Sequence, residues 1–174
     1  MNSVEIGPAI YLYTEVGLSE SFLEIIKDPS IVFTKANDGL DTFILNKDLN
    51  QEIYNLIDKK FTEIEKDYLK NFNIDSLKMN LYDKRQILYF LKYNKVVWDT
   101  RHFDDIHQDD PRRVSVVYYP NDDYEGGEIE FPRFNVKIKP PKDSALIFSA
   151  SYPYDHLVHE ISGGTRYAIG SHIY

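Results

Sequence analysis

The chain has 174 residues, of which 43% are hydrophobic and 28% are charged, a composition typical of a globular protein that buries a core of its own. The formal net charge is −8 at pH 7, so we expect no nucleic-acid partner, because affinity for nucleic acids comes largely from clustered Lys and Arg. Cysteine is absent, which excludes a disulfide framework, a cysteine-based zinc finger and an iron–sulfur cluster.

Residues 1–85 predict a mainly helical segment. Runs of β-branched and aromatic residues indicate three short strands in it, at 9–14, 31–33 and 42–45, with a turn at 37–39. Residues 19–27 have apolar side chains at helical spacing and predict a helix, with Ser21 and Glu24 as a capping box. Residues 48–69 predict a long amphipathic helix whose apolar stripe packs on a sheet. We interpret this half as a helical support, and it carries no motif that indicates a function.

Residues 86–174 are rich in strands. Alternating or continuous apolar patterns predict them at 86–93, 113–119, 128–131, 136–139, 144–148, 157–161 and 167–173, with a hairpin turn at 121–127. Short strands at close spacing after a helical segment indicate an α+β fold, an antiparallel double-stranded β-helix (jelly roll) with N-terminal supporting helices. The length predicts one domain over residues 1–174, with the jelly-roll core at 86–174.

Two histidines and one aspartate in this second half form a candidate metal site. In a strand, residues two apart point to the same side, so His102 and Asp104 can converge on one ion. We expect His156 to reach the same ion from a strand of the opposite sheet. Two imidazoles and one carboxylate hold non-haem Fe(II) and leave coordination positions open. Arg166, downstream of His156, offers a permanently charged fork suited to a dicarboxylate.

Other interpretations of these residues stay open at this point. His107 and Asp109 repeat the His-x-Asp spacing five residues later. Either pair can be a loop histidine beside a surface acid. His159 is interpreted as a core or surface histidine and not as a ligand. Arg166 without the histidines would be an ordinary ion-pair arginine.

The order of these motifs resembles a known family. Tyr93 precedes His102 by nine residues, and strand-like and closing segments follow at 112–119, 121–132, 139–149 and 154–167. In these features residues 86–174 resemble the prolyl 4-hydroxylase-like 2-oxoglutarate/Fe(II) oxygenases, in particular the small phage and bacterial members. The spacing from Tyr93 and the strand that begins with two arginines favour His102 and Asp104 over the His107 pair.

The resemblance implies a ligand set and a reaction. His102, Asp104 and His156 would hold Fe(II), and Arg166 would pair with the distal carboxylate of 2-oxoglutarate. Tyr119, Tyr93 and Ser115 are implied as further co-substrate contacts, although the tyrosines can equally be core aromatics. The expected reaction consumes O2 and 2-oxoglutarate, with ascorbate as an optional reductant, and hydroxylates an unactivated C–H bond.

The resemblance points to a prolyl residue of a peptide or protein as the substrate. Free amino acids or another peptidyl side chain are alternatives, because fold and cofactor do not fix the substrate. A different class of protein, a non-enzymatic jelly-roll module that binds metal or carbohydrate, would explain the strands but requires neither Arg166 nor the His-x-Asp…His set. We expect residues 97–101 and 106–111 to frame the substrate opening.

No N-terminal signal sequence and no long apolar run are present in the sequence, so we expect a cytoplasmic protein without a membrane partner. The sequence predicts nothing about the oligomeric state.

Overall fold

The computed structural model of the chain describes residues 1–28, 31–45, 51–72, 88–94, 101–105 and 112–174. The alternative metal pair, His107 and Asp109, lies outside the described residues. So do the two predicted substrate loops, except for Arg101.

Two helices and thirteen short strands are present in the described parts of the chain. The helices are α1 (Ser19–Lys27) and α2 (Gln51–Lys70). The strands are β1 (Asn2–Gly7), β2 (Ile10–Thr14), β3 (Thr34–Asn37), β4 (Leu40–Leu45), β5 (Leu88–Tyr93), β6 (Val114–Tyr119), β7 (Glu125–Gly126), β8 (Ile129–Phe131), β9 (Val136–Ile138), β10 (Ser144–Ser149), β11 (Leu157–Val158), β12 (Ile161–Gly163) and β13 (Arg166–Ile173). A single 3₁₀ turn, Pro132–Phe134, lies between β8 and β9.

An eight-stranded antiparallel sheet dominates the fold, in the order β1-β2-β10-β6-β13-β5-β4-β3. A three-stranded sheet (β11-β8-β9) covers one side of it, and β12 pairs with β7. Apolar residues from the two sheets share one core, among them Ile129 and Phe131 of β8 and Tyr119, Leu146 and Phe148 of the large sheet. This arrangement confirms the predicted jelly roll.

The helices cover the opposite side of the large sheet. Side chains alternate between the two faces of a strand. In β6, Val116 and Tyr118 therefore join the core under the helices, together with Phe61 and Ile64 of α2. Tyr119, the next residue after Tyr118, belongs to the core between the sheets. None of the described helices has an apolar stretch that could cross a membrane.

The N-terminal segment departs from its prediction as a helical support. It supplies four strands of the large sheet, β1 and β2 at one edge and β3 and β4 at the other. The strand predicted at 31–33 is wrong, because the strand begins at Thr34 and pairs with β4. Strand β1 was not predicted; its exposed, polar-rich sequence is that of an edge strand.

Three further predictions are corrected by long-range pairing. The capping box at Ser21 does not form, because α1 begins at Ser19 and has no side-chain cap. Just before the helix, the carboxylate of Asp143 accepts hydrogen bonds from the amides of Gly17 and Leu18. The predicted strand 157–161 is two strands, which pair with β8 and with β7. The predicted hairpin turn at 121–127 therefore contains a strand of its own, β7.

Candidate metal centre

His102, Asp104 and His156 meet at one point. One ligand atom from each of the three side chains lies within 4.8 Å of the other two. Asp104 Oδ1 is 3.7 Å from His102 Nε2 and 3.9 Å from His156 Nε2. Two imidazole nitrogens and one carboxylate oxygen at these separations fit an Fe(II)-type site that leaves several coordination positions open.

The two histidines are brought together by their backbones. His102 and His156 form an isolated antiparallel β-bridge, and the centroids of their rings lie 4.6 Å apart. Asp104 lies in a bend after the bridge. The expectation that all three ligands come from regular strands is therefore wrong: a single bridge, next to β11, positions the site.

His156 is held as a neutral imidazole. Burial lowers its pKa, and the neighbouring Asp104 only partly opposes this effect. Its Nδ1 is 3.2 Å from the carbonyl oxygen of Tyr154, and the ring packs between Phe131 and Phe148. A proton on Nδ1, donated to that carbonyl, leaves the Nε2 lone pair facing Asp104, as a metal ligand requires.

Asp104 is held as a carboxylate. Its burial would raise its pKa, but His156, His172, Ser115 and His102 together outweigh burial and lower it. The Ser115 hydroxyl donates to Asp104 Oδ2 at 2.6 Å. The charged form that binds a metal ion is thus favoured before any ion arrives.

Arg166 is a fully enclosed cation. The residue is 2% exposed, and its Nε and Nη1 atoms have no hydrogen-bond partner in the part of the chain that the structure describes. Among the described residues, no carboxylate forms an ion pair with it. The guanidinium lies over the ring of Tyr93 at 4.7 Å and that of Tyr119 at 5.2 Å. A buried charge with unused donors is costly unless a ligand pairs with it, so this pocket fits an anion.

The hydroxyls of two tyrosines, Tyr119 and Tyr124, are neutral groups near Arg166. Burial raises the pKa of Tyr119 and Tyr124, although Arg166 opposes the effect, so both remain protonated at neutral pH. Neither hydroxyl has a hydrogen-bond partner within the described ranges of the chain. An anion bound at Arg166 would accept from such groups without adding a second charge.

One cavity of about 490 Å³ joins the metal cluster to Arg166. Residues at alternating positions of three adjacent strands form its floor: Tyr89, Leu91 and Tyr93 of β5, Arg166, Gly170 and His172 of β13, and Val117 and Tyr119 of β6. Ile129 and Val158, from the small sheet, contribute to the opposite wall. A co-substrate that contacts both the metal and Arg166 fits in this space.

The predicted site residues fall into two groups. His102, Asp104, His156, Tyr93, Tyr119 and Arg166 all line the cavity. Ser115, predicted to contact the co-substrate, instead binds Asp104. His159 lies away from the cluster and pairs with Glu130 at 2.6 Å, as expected for a histidine that is not a ligand.

Sequence reasoning missed His172 and Tyr124. His172 lies on the same strand as Arg166, an even number of residues later, so the alternation of β13 could have identified it as facing the cavity. Tyr124 lies just before β7, in the segment interpreted as a turn, where no local pattern indicates that it packs against Arg166.

Comparison with known proteins agrees with this geometry. Residues 88–174, half of the chain, match the family described as the 2OG-Fe(II) oxygenase superfamily. No curated protein sequence is significantly similar to the chain.

Solved structures of prolyl hydroxylases share the fold. A viral collagen prolyl hydroxylase from Paramecium bursaria Chlorella virus-1, in complex with 2-oxoglutarate, is 18% identical over 96% of both chains, with a TM-score of 0.67. A Pseudomonas putida prolyl-4-hydroxylase is 15% identical over 95% of this chain and 91% of its own, with a TM-score of 0.68. A Trichoplax adhaerens prolyl hydroxylase, bound to a hypoxia inducible factor peptide fragment, is 16% identical over 95% of this chain and 83% of its own, with a TM-score of 0.66.

The matched residues include every ligand of the metal cluster and the buried arginine, so the family assignment and the geometry concern the same part of the chain. The protein belongs to the 2OG-Fe(II) oxygenase superfamily.

Proposed function

We propose that this protein hydroxylates a prolyl residue in a peptide or protein, with Fe(II) as cofactor and 2-oxoglutarate and O2 as co-substrates. The similar structures named above are prolyl hydroxylases, and one of them is bound to a peptide. Their likeness supports the choice of substrate class. We further propose that residues 1–174 act as one domain.

One observation carries the proposal: a single cavity holds the His-Asp-His cluster at one place and, at another, a buried arginine that no described carboxylate pairs with. A binding module for carbohydrate would leave this arginine without a function. The non-enzymatic alternative is therefore set aside.

The residues of the cavity have distinct tasks in this reaction. His102, Asp104 and His156 hold Fe(II), which when bound supports the oxidative decarboxylation of 2-oxoglutarate to succinate and CO2, with the second oxygen atom of O2 inserted into the substrate C–H bond. Arg166 holds the distal carboxylate of the co-substrate, an interaction strengthened by burial. The Tyr119 hydroxyl donates a hydrogen bond to the same carboxylate or to an adjacent atom of the co-substrate.

An aromatic surface next to the metal supports a prolyl substrate. Phe103, which lines the cavity, packs against Tyr152 with ring centroids 6.2 Å apart, and Tyr152 is 69% exposed. The guanidinium of Arg133 lies over the Tyr152 ring, 5.0 Å from its centroid. Aromatic surfaces of this kind bind proline rings in other peptide-recognition modules.

The test is turnover on a library of proline-containing peptides with Fe(II) and 2-oxoglutarate. Mass spectrometry with fragment sequencing should locate one added oxygen atom on a prolyl residue, with a matching amount of succinate. The Asp104→Ala variant provides the blank. Oxygen added to another side chain, or only to free amino acids, would replace the prolyl proposal with one of the two alternatives.

A further inference from the structure

The two oxygens of the Asp104 carboxylate have different surroundings. Oδ1 faces the two histidine Nε2 atoms at 3.7 and 3.9 Å, whereas Oδ2 accepts a 2.6 Å hydrogen bond from Ser115 Oγ. Ser115 Oγ in turn lies 3.0 Å from His172 Nδ1. The three side chains form one hydrogen-bonded chain that ends on a metal ligand.

The protons of this chain can be assigned by counting donors. An ionised carboxylate only accepts, so the single hydroxyl proton of Ser115 is donated to Asp104. Ser115 Oγ must then accept from His172, which places the proton of the neutral imidazole on Nδ1. Each donor is used once, and the direction runs from His172 through Ser115 to Asp104.

The two members of the chain that are not in the metal cluster, Ser115 and His172, are anchored in the centre of the large sheet. Ser115 of β6 and His172 of β13 are directly opposite each other across neighbouring strands, and Ser115 is fully buried. Asp104 lies in an irregular segment that belongs to no strand. The chain therefore ties a ligand in a loop to the most regular part of the fold.

We propose that Ser115 and His172 are positioning residues that commit Asp104 to bind Fe(II) through Oδ1 alone. A carboxylate with both oxygens free can occupy two coordination positions, whereas one whose second oxygen is already hydrogen-bonded occupies a single position. The position that is kept open is then available to a co-substrate, which this class of site requires. This inference rests on the proposed function, because it assumes that the cluster binds Fe(II).

The test measures metal affinity in the absence of turnover, by anaerobic titration of metal-free protein with Fe(II) and, separately, with Co(II), whose visible spectrum reports the coordination. Ser115→Ala should weaken binding by about 10- to 100-fold, the usual effect of losing an outer partner of a metal ligand, and should change the Co(II) spectrum. Ser115→Thr retains the hydroxyl and should restore both values. His172→Phe should shift both in the same direction as Ser115→Ala, and His172→Asn, whose amide can replace the Nδ1–H donor, should restore them.

A matched control separates positioning from loss of stability. Ser144 is also fully buried and also donates a 2.6 Å hydrogen bond, to the Pro141 carbonyl, but it has no link to Asp104. Ser144→Ala should lower the unfolding midpoint of the metal-free protein to a degree similar to Ser115→Ala and leave metal affinity unchanged. Unchanged affinity and spectrum in both Ser115→Ala and His172→Phe would overturn the inference, and so would a failure of Ser115→Thr to restore binding. If the wild-type protein itself bound no Fe(II), the proposed function would fail instead.

Discussion

The backbones of His102 and His156 are hydrogen-bonded to each other in both directions. The His102 amide donates to the His156 carbonyl at 3.0 Å, and the His156 amide donates to the His102 carbonyl at 2.9 Å. Two ligands that are distant in sequence are therefore brought together by main-chain bonds, which do not depend on a metal ion. The energetic cost of assembling the site is met when the protein folds, as in other pre-organised sites.

Metal removal should leave this bridge intact. In protein stripped with a chelator, the amides of His102 and His156 should exchange with solvent at rates within about tenfold of those in the Zn(II)-loaded form, because their acceptors remain in place. Hydrogen exchange followed by NMR measures both amides. Loss of protection at both positions in the metal-free protein would show that the ion, and not the backbone, assembles the site.

Arg166 should control the affinity for 2-oxoglutarate. Arg166→Ala removes the positive charge that we propose pairs with the distal carboxylate of the co-substrate. Truncating one partner of a buried charge pair costs roughly 2–5 kcal/mol. The KM for 2-oxoglutarate should rise by about thirtyfold to several thousandfold, as measured by succinate formation. The KM of Arg166→Lys should lie between those of the wild-type protein and Arg166→Ala, because lysine keeps the charge but lacks the planar guanidinium.

The matched control for this experiment is Arg113→Ala. Arg113 is exposed and does not line the cavity. Its removal should leave the KM for 2-oxoglutarate unchanged. An Arg166→Ala variant that kept the wild-type co-substrate dependence would remove the arginine from its proposed role.

Substitutions of two adjacent tyrosines on β6, Tyr118 and Tyr119, should have different effects on co-substrate binding and on stability. Tyr119→Phe removes a buried hydroxyl that has no hydrogen-bond partner among the described residues. The KM for 2-oxoglutarate should therefore rise by about tenfold or more, the effect of losing one hydrogen bond to a charged group, with little change in unfolding free energy. Tyr118→Phe removes a hydroxyl that donates to Asp143 at 2.8 Å on the helix side of the sheet. It should lower the unfolding free energy by about 1 kcal/mol and leave the KM unchanged. If both variants affected only stability, Tyr119 would be a core aromatic.

The convergence of the His-Asp-His cluster and Arg166 on one cavity could be predicted because the chemistry of these residues depends on residue type and order along the chain. His102, Asp104, His156 and Arg166 are rare, chemically distinctive residues, and their order is that of a known family. The contact made by Ser115 could not be predicted in this way. A serine hydroxyl has many potential partners, and the register that places Ser115 opposite His172 is visible only in the folded sheet.

In the fold, too, the features set by local sequence could be predicted and those set by distant partners could not. The jelly roll and both helices follow from local periodicity, since alternation and helical spacing are properties of short segments. The strands at the sheet edges depend on distant partners: β2 pairs with β10, and Asp143 accepts from the amide of Gly17, 126 residues away in the sequence. No local signal in residues 1–45 indicates that these strands join the same sheet as the residues that line the cavity.

Stability of the metal-free protein should decrease as the pH falls below neutral. Burial lowers the pKa of His172 to about 4 from an ordinary value of 6.5, with Asp104 opposing the effect and Arg112 and His156 adding to it. Between these two pH values the unfolded chain binds a proton that the folded chain does not. The free energy of unfolding therefore decreases as the pH is lowered through this window, and the contribution of His172 to stability is fully present above pH 6.5. Urea unfolding at several pH values measures the slope. The slope should be shallower in His172→Asn, which cannot titrate, and an equal slope in both proteins would contradict the assignment.

Gly126 should be required for the pairing of β7 with β12. Its φ is +72°, and a Cβ atom there would lie 2.1 Å from the backbone oxygen of Glu160, on the segment that leads into β12. Gly17 has a similar φ of +82°, but a Cβ atom there would meet no atom of the described residues within 4 Å. Gly17→Ala should therefore cost only the left-handed backbone penalty of about 1–2 kcal/mol. Gly126→Ala adds a clash with a backbone atom, which cannot rotate away as a side chain can. Its unfolding midpoint should therefore be lower than that of Gly17→Ala.

Gly126→Ala should also weaken 2-oxoglutarate binding, because β7 directly follows Tyr124, which packs against Arg166. Urea unfolding and anaerobic co-substrate titration measure the two effects, and equal midpoints with unchanged binding would show that β7 and β12 can separate without disturbing the pocket.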